Sequence, residues 1–563
     1  MRSKLGKIRL YQGFGAGLIL SLCLLTGSAH ADDWDVGGSN IHNTRSADSE
    51  NKIKASNVAK LKKKWEFVTH GDVSATPTVE GNKVYAVDWG GYLYSIERDK
   101  GTANWSHQIS DYTGNTVFSV SRTSPTVVGD KVIIGDQGDV SSAGFPQGGG
   151  TPDAHGNPTS QGVTASVMAI DKQTGKLLWR TLVSDHPFSV ITSSPVASDG
   201  VIYVGVSSLE ENAGFVPGYP GFSWRGKVVA LDAKTGKAVW KQPFVTIDDA
   251  SYNQGYTGAS VWGSTPVVDE SRGQLYVSTG NNYSAPSGYT SPGGKAAPDG
   301  DHFDSVLALD LSSGKLNWAY RAWNGDTWDV ASWIFGGQPS YTGGDTALGP
   351  DWDFGSGPNL FTTKHGGDSV GAGAKSGIYY SLDPETGSLN WKTQVGPGGT
   401  GGGIEWGSAV DGNRIYCAIS NSDGQVTTAT PQGQGLWSAL DAKTGKALWS
   451  TLDPLGGHDF GMVTVANGVV FAGSAGNKPN SFTGYPGAPG GFFALDASNG
   501  KILWQYTSAD DPAMGSVICG PSIVDGVVYW GSGYSHLANA FGISGTTPKL
   551  YAFSLKDDDD NDH

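Results

Sequence analysis

Asp351 and Asp353, two residues apart in Asp351-Trp352-Asp353-Phe354-Gly355, form a carboxylate pair that could do chemistry. Such a pair can divide acid and base work between its members, as a hydrolase or lyase acting on polysaccharide requires. Neighbours at i and i+2 fit a structural role equally well. Thiol chemistry has little to draw on. The chain holds three cysteines, Cys23, Cys417 and Cys519, and no Cys-x-x-Cys-His, so no c-type haem is attached covalently to it. Electrons taken from a substrate would leave through another molecule. Cys417 and Cys519 could be bridged in an oxidising compartment or sit apart as core thiols.

The elements that must position these residues are written as a repeat. A hydrophobic strand followed by Asp-x-x-Thr-Gly-x-x-x-Trp occurs at Asp171 to Trp179, Asp232 to Trp240, Asp383 to Trp391 and Asp441 to Trp449. Asp310 to Trp318 and Asp496 to Trp504 are near-copies, with Ser313 and Asn499, and Glu97 through Gly101 to Trp105 is a looser seventh. The Val-x-Ala-Leu-Asp segments alternate like half-buried strands. Asp and Thr bond to nearby backbone and Gly tolerates positive φ, so the unit reads as a hairpin turn whose Trp packs between neighbouring sheets. A second cue, Ser/Thr-Pro followed by a Val-Tyr strand, recurs upstream at Thr76-Pro77, Ser124-Pro125 and Thr265-Pro266. Each period thus holds about four strands, one propeller blade. Trp65 opens the chain without a preceding turn, and Lys549 to Phe553 closes it with a strand lacking its Trp half. The expected fold is all-β: an eight-bladed β-propeller with tryptophan-docking repeats and one blade closed by both termini, which removes exposed edges.

Residues 1–31 read as an export signal. Arg2, Lys4, Lys7 and Arg9 precede an apolar run from Phe14 to Leu25, and Ala29-His30-Ala31 is a small-x-small cleavage site. The run is too short to favour a membrane span, and Leu22 before Cys23 argues against a lipid anchor. The expected product is a periplasmic protein with no membrane span, a propeller over 32–555 and an acidic disordered tail over 556–563. Losing the signal's four basic residues and no acidic ones takes the formal charge from −15 to −19. That charge argues against nucleic acid as a partner. It suits a basic soluble partner, or solubility alone.

The eightfold turn-and-tryptophan unit resembles the propellers of pyrroloquinoline quinone (PQQ) dependent alcohol dehydrogenases, over essentially the whole mature chain. Trp34-Asp35-Val36-Gly37-Gly38 with Asn43 and Arg45, and the run from Asp351 to Pro358, look most like the polyvinyl-alcohol dehydrogenases of that superfamily. The resemblance implies PQQ held over a metal ion by a Glu, an Asn and a catalytic Asp. Glu210, in Ser207-Ser208-Leu209-Glu210, stands at the Glu position, with Glu211 as the alternative, and Asn281, in Ser278-Thr279-Gly280-Asn281, matches the Asn turn. These are hard oxygen ligands, suited to Ca²⁺; either residue alone could equally be a solvated loop residue. Trp262, outside the register of the docking tryptophans, matches the indole beneath the PQQ ring. Arg122 matches an Arg on the quinone oxygens, Thr192 a Thr on a PQQ carboxylate, and Lys375 the basic residue beside the reactive carbonyls. Three carboxylates on PQQ call for such cations and hydroxyls.

The catalytic Asp has two candidates. Trp328-Asp329 keeps the family's offset from Trp318, whereas Trp352-Asp353 leads into a strand from Pro358 to Thr362. A base on a rigid strand end favours Asp353, also the third metal ligand, with Asp329 second. Lanthanide-using relatives carry an extra Asp two residues on; Ala331 and Gly355 stand there, which favours calcium. The Cys-Cys pair that many members carry over the quinone is missing, so another group must cover that face. The implied activity is oxidation of an alcohol, secondary or polymeric, to a ketone or aldehyde, with a soluble cytochrome c as acceptor. A propeller alone names no function. A non-enzymatic scaffold of the outer-membrane assembly type would need the tryptophan repeats, but not Glu210, Asn281, Trp262, Arg122 and Lys375 together.

Overall fold

The recurring turn is a clasp between blades as well as a hairpin. The computed structural model describes residues 33–555 apart from 115–118, 139–164, 216–220, 264, 287–296, 331–348, 365, 477–489 and 535–546. In it, Asp171 Oδ1 accepts hydrogen bonds from Thr174 N and Oγ1, both 2.7 Å. Asp232, Asp383 and Asp441 hold Thr235, Thr386 and Thr444 in the same way. The following glycine takes a left-handed φ, 71° at both Gly175 and Gly314, where a side chain would be strained. It also lies against the docking indole of the preceding blade: a Cβ on Gly314 would sit 2.5 Å from the Trp240 ring. Trp240 Nε1 donates to Leu311 O of that same next blade at 2.8 Å. Seven of the eight docking indoles donate across to the neighbouring blade in this manner.

The strands assemble into eight antiparallel blades. The first runs outward as Thr78–Glu80, Lys83–Val87, Tyr92–Glu97 and Ala103–Gln108. The last combines Ser522–Val524, Val527–Gly531 and Lys549–Leu555 with Leu61–Val68 from the other end of the chain, Trp65 opposite Ala552. One expectation is corrected. The third strands, such as Ser305–Asp310 and Leu436–Asp441, are buried on both faces instead of one. Each blade is sandwiched between two others, so these strands are covered throughout, and the alternating exposure appears on outer strands such as Ala447–Leu452.

Inside the ring, the arm from Trp34 to Arg45 adds a collar. Trp34 pairs with Val79, and the amides of Val127, Val268, Leu360, Val410 and Val465 donate to the carbonyls of Asp35, Ile41, His42, Thr44 and Arg45. These partners lie on the first strands of six blades, beside the turns that join first to second strands. The arm therefore closes one end of the channel and makes it a well. Cys417 and Cys519 are free and buried, so they are separate core thiols. No helix among the described residues is long and apolar enough to cross a membrane. The expected signal at 1–31, the tail at 556–563, Ala331 and much of the long insertions lie outside the described residues.

Candidate active site in the central well

Two positions in a blade face the open end of the well: the residues entering its first strand and those leaving its second. Arg122, Thr192, Trp262 and Asp353 precede the first strands Thr126–Val128, Val196–Ser198, Val267–Asp269 and Asn359–Thr362. Glu211, Asn281 and Lys375 follow the second strands Val201–Ser208, Gln274–Ser278 and Asp368–Gly373. All seven line one cavity of about 310 Å³, a size that suits a cofactor or small ligand.

Trp262 links the others. Its Nε1 donates to Asp353 Oδ2 at 2.8 Å, its carbonyl accepts from Thr192 Oγ1 at 3.0 Å, and Lys375 Nζ lies 5.2 Å from its ring centre. Trp406 meets it edge to face, 5.6 Å between centroids at 87°, and the Arg122 guanidinium stacks 4.4 Å over Trp406. Lys375 Nζ pairs with Asp351 Oδ1 at 3.0 Å and Asp353 Oδ1 at 3.2 Å. Burial works to raise the Asp353 pKa, but Lys375, Asp351 and Trp262 outweigh it and hold the carboxyl below the usual carboxylate range. Burial drives Asp351 the other way, well above that range, so Asp351 is the protonated member of the pair. Asp326 accepts from Asp351 N at 3.0 Å and Trp352 N at 2.6 Å, pinning the turn where Asp351 takes φ 56°. Asn281 Nδ2 donates to the carbonyls of Asn282 and Trp328 at 2.8 and 2.9 Å. That leaves its Oδ1 as the free acceptor on the cavity wall.

Glu210 does not reach this cavity. Its fully buried carboxylate accepts from Ser223 N, Ser223 Oγ and Trp224 N at 2.7–3.0 Å, with His186 Nε2 at 3.4 Å. Glu210 and Glu211 begin the 3₁₀ turn Glu210–Phe215, where successive side chains diverge by a third of a revolution. Glu211 is the one that faces inward, and burial raises its carboxyl to about 7. Asp329 is also off the lining, although Trp328 and Val330 are on it; its charge acts on Glu211 from behind. Sequence reasoning missed Glu405 and Trp406, which also line the cavity, and burial raises Glu405 to about 7. A signal was present: Trp406, like Trp262, falls outside the docking register and precedes a first strand, Ala409–Val410.

A flat polyanionic quinone fits this donor set. The cavity offers indole faces, two cations and the Thr192 hydroxyl, and the buried Asp353 Oδ1 is held by the Lys375 ion pair. Among the described residues, no three Asp, Glu, His or Cys side chains group as a metal centre by themselves. A cation would need the Asn281 oxygen and the cofactor's own oxygens to complete its shell.

The ring of eight blades has the fold of solved quinoprotein dehydrogenases. The quinohemoprotein alcohol dehydrogenase of Comamonas testosteroni superposes with a TM-score of 0.64 at 18% identity, covering 94% of this chain and 81% of that one. A europium-containing methanol dehydrogenase gives 0.61 at 18% identity, covering 94% and 99%. A family model described as the β-propeller domain of glucose/ethanol/alcohol dehydrogenase matches residues 181–332. A second, described as outer membrane protein assembly factor BamB, matches 34–151 and 374–547. The polyvinylalcohol dehydrogenase of Sphingopyxis sp. is 30% identical across 92% of this chain and 77% of its own. That of Pseudomonas sp. is 28% identical across 90% and 73%. The chain belongs to the PQQ-dependent alcohol dehydrogenase family, a family of oxidoreductases.

Proposed function

We propose that this protein oxidises secondary and polymeric alcohols of the polyvinyl-alcohol kind, using PQQ and Ca²⁺ bound in the well. The observation that carries the reading is the joining of Asp353, Trp262 and Lys375 by direct contacts within one cavity. Arg122, Thr192, Trp262 and Lys375 would hold the quinone; Glu211, Asn281 and Asp353 would hold the cation, and their oxygens suit calcium. When bound, the quinone supplies a two-electron acceptor and the cation a Lewis acid, neither of which side chains can provide.

The chain's own contribution is proton transfer and orientation. Trp262 Nε1 fixes Asp353 Oδ2, and Asp353 Oδ1 takes the hydroxyl proton of the alcohol as general base. Its lowered pKa keeps it ionised, hence able to accept, at neutral pH. Lys375 holds that charge in place and stabilises negative charge developing beside it. Asp329, behind the lining, is the second candidate base. Trp406, capped by Arg122, would add a second indole to the wall of the quinone pocket. Two relatives named as polyvinylalcohol dehydrogenases, matched over nine-tenths of this chain, support the polymeric substrate. A soluble cytochrome c takes the electrons in the periplasm, reached through the signal at 1–31.

Purified apo-protein supplied with PQQ and Ca²⁺, then tested by dye-linked oxidation of primary, secondary and polymeric alcohols, checks the reading. Cofactor-dependent turnover of secondary and polymeric alcohols is expected. Quinone binding without turnover of any alcohol would overturn the activity, and no quinone binding would favour the scaffold.

A further inference from the structure

Below the Trp262–Trp406 layer lies a chamber of about 30 Å³, bounded on the far side by Arg45 of the N-terminal arm. It has room for one or two particles the size of water. Its polar lining includes Arg45, Arg122, Ser74, Ser124, Ser194 and Thr265, and no carboxylate among the described residues.

Arg45 and the three serines are each left with a donor to spare. Arg45 is 1% exposed. Its Nε donates to Val463 O at 3.0 Å, Nη1 to Gly37 O at 2.8 Å and Nη2 to Thr76 Oγ1 at 3.0 Å. A guanidinium has five N–H groups, so one N–H on each Nη has no acceptor. The serine hydroxyls are all used as acceptors: Ser74 Oγ from Trp89 Nε1 at 2.8 Å, Ser124 Oγ from Thr76 N at 3.1 Å, and Ser194 Oγ from Ser124 N at 2.9 Å. None of the three donates to another described residue, so their O–H protons are free to turn inward.

The charge is unbalanced as well. Arg45 makes no ion pair among the described residues. Among the described residues, the only ionisable neighbour acting on it is the Cys519 thiol, which burial pushes up to about 12 and so keeps neutral. Burial brings Arg45 itself down to about 10, still charged at neutral pH. A buried cation with no countercharge is costly, and water filling the chamber would satisfy donors without neutralising it.

We propose that this chamber binds a small monovalent inorganic anion of the halide class, held by Arg45, Arg122 and the inward serine hydroxyls. The site does not rest on the quinone reading, because Arg45 and the serines border the chamber only, although Arg122, Thr192, Trp262, Trp406 and Tyr534 border both it and the cavity above.

Chloride and bromide are the probes. Purified protein in gluconate buffer, with and without bound PQQ, is titrated with chloride at constant ionic strength while the ³⁵Cl linewidth is followed. Saturable broadening that bromide reverses is expected in both forms, kept by Arg45→Lys and lost in Arg45→Met. The melting temperature should climb with the logarithm of chloride concentration, as linkage requires for a ligand of the folded state, in the parent but not in Arg45→Met. If Arg45→Met does not fold, crystals of the parent soaked in bromide give the same answer through an anomalous peak against the Arg45 Nη atoms. No saturable broadening, or an anomalous map empty at the chamber, overturns the proposal. Broadening that vanishes when PQQ binds also overturns it, since the quinone would then fill the chamber itself.

Discussion

Replacing Asp353 by Asn removes the base while keeping the shape of the side chain. Asn Oδ1 can still accept from Trp262 Nε1, now at 2.8 Å from the carboxylate. Lys375 keeps Asp351, 3.0 Å away, and draws off the proton that Asp351 now carries. The charge pair is thus transferred to Asp351, so stability should fall by less than the about 3–5 kcal/mol of a buried charge left alone. The chemical step has no such substitute. Loss of a positioned general base costs about 10²–10⁴ in rate, or about 2.7–5.4 kcal/mol of barrier. Dye-linked kinetics at saturating PQQ and Ca²⁺ should show kcat/KM reduced in that range, with quinone binding, read by tryptophan fluorescence quenching, nearly unchanged. Asp329→Asn, off the cavity lining, should lose less than about tenfold. The reasoning fails if Asp353→Asn stays within tenfold of the parent, and a hundredfold loss in Asp329→Asn alone would transfer the role.

The two adjacent glutamates should separate cleanly. Glu210→Gln breaks charge-assisted bonds to Ser223 and Trp224 and should lower stability by about 2–4 kcal/mol in urea unfolding. Glu211→Gln removes a carboxylate that burial disfavours, so it should leave metal-free unfolding at neutral pH unchanged or more stable yet weaken Ca²⁺-dependent reconstitution at least about tenfold. Asp136 is buried, with a pKa raised to about 6. The native state holds this proton more tightly than the unfolded chain, so stability from this group is present below about pH 4 and is lost, by about 3 kcal/mol in all, as pH rises through 6. Asp136→Asn should remove that part of the pH slope in melting curves; an unchanged slope would mean the group is not buried as described. Trp240→Ala, at a buried indole bonded to Leu311 O, should cost about 3–5 kcal/mol, and a loss below 1 kcal/mol would contradict the clasp.

The blades were legible in the chain because their signals are local. Asp171 and Thr174 bond three residues apart, and Gly175 takes the conformation that only glycine adopts freely. The turn therefore shows wherever it occurs, and the missing halves at Trp65 and Lys549–Phe553 announced the closure seen between Leu61–Val68 and Lys549–Leu555. The well residues were readable as a set through resemblance, since Arg122, Thr192, Trp262, Asn281, Asp353 and Lys375 share one cavity. Direction was not readable. Glu210 and Glu211 are the same residue type side by side, and the choice between them rests on Ser223 and Trp224, contributed by a segment 13 and 14 residues further on. Asp353 reaches the cavity and Asp329 does not because Asp326 holds the Asp351 and Trp352 amides across 25 and 26 residues. Arg45 meets no carboxylate among the described residues because Val463 and Thr76 close on it from other blades, with Gly37 from its own arm. Turn chemistry acts over a few residues and so is visible in sequence; the aim and charge of a side chain in the well are set by blades that meet only once the ring has closed.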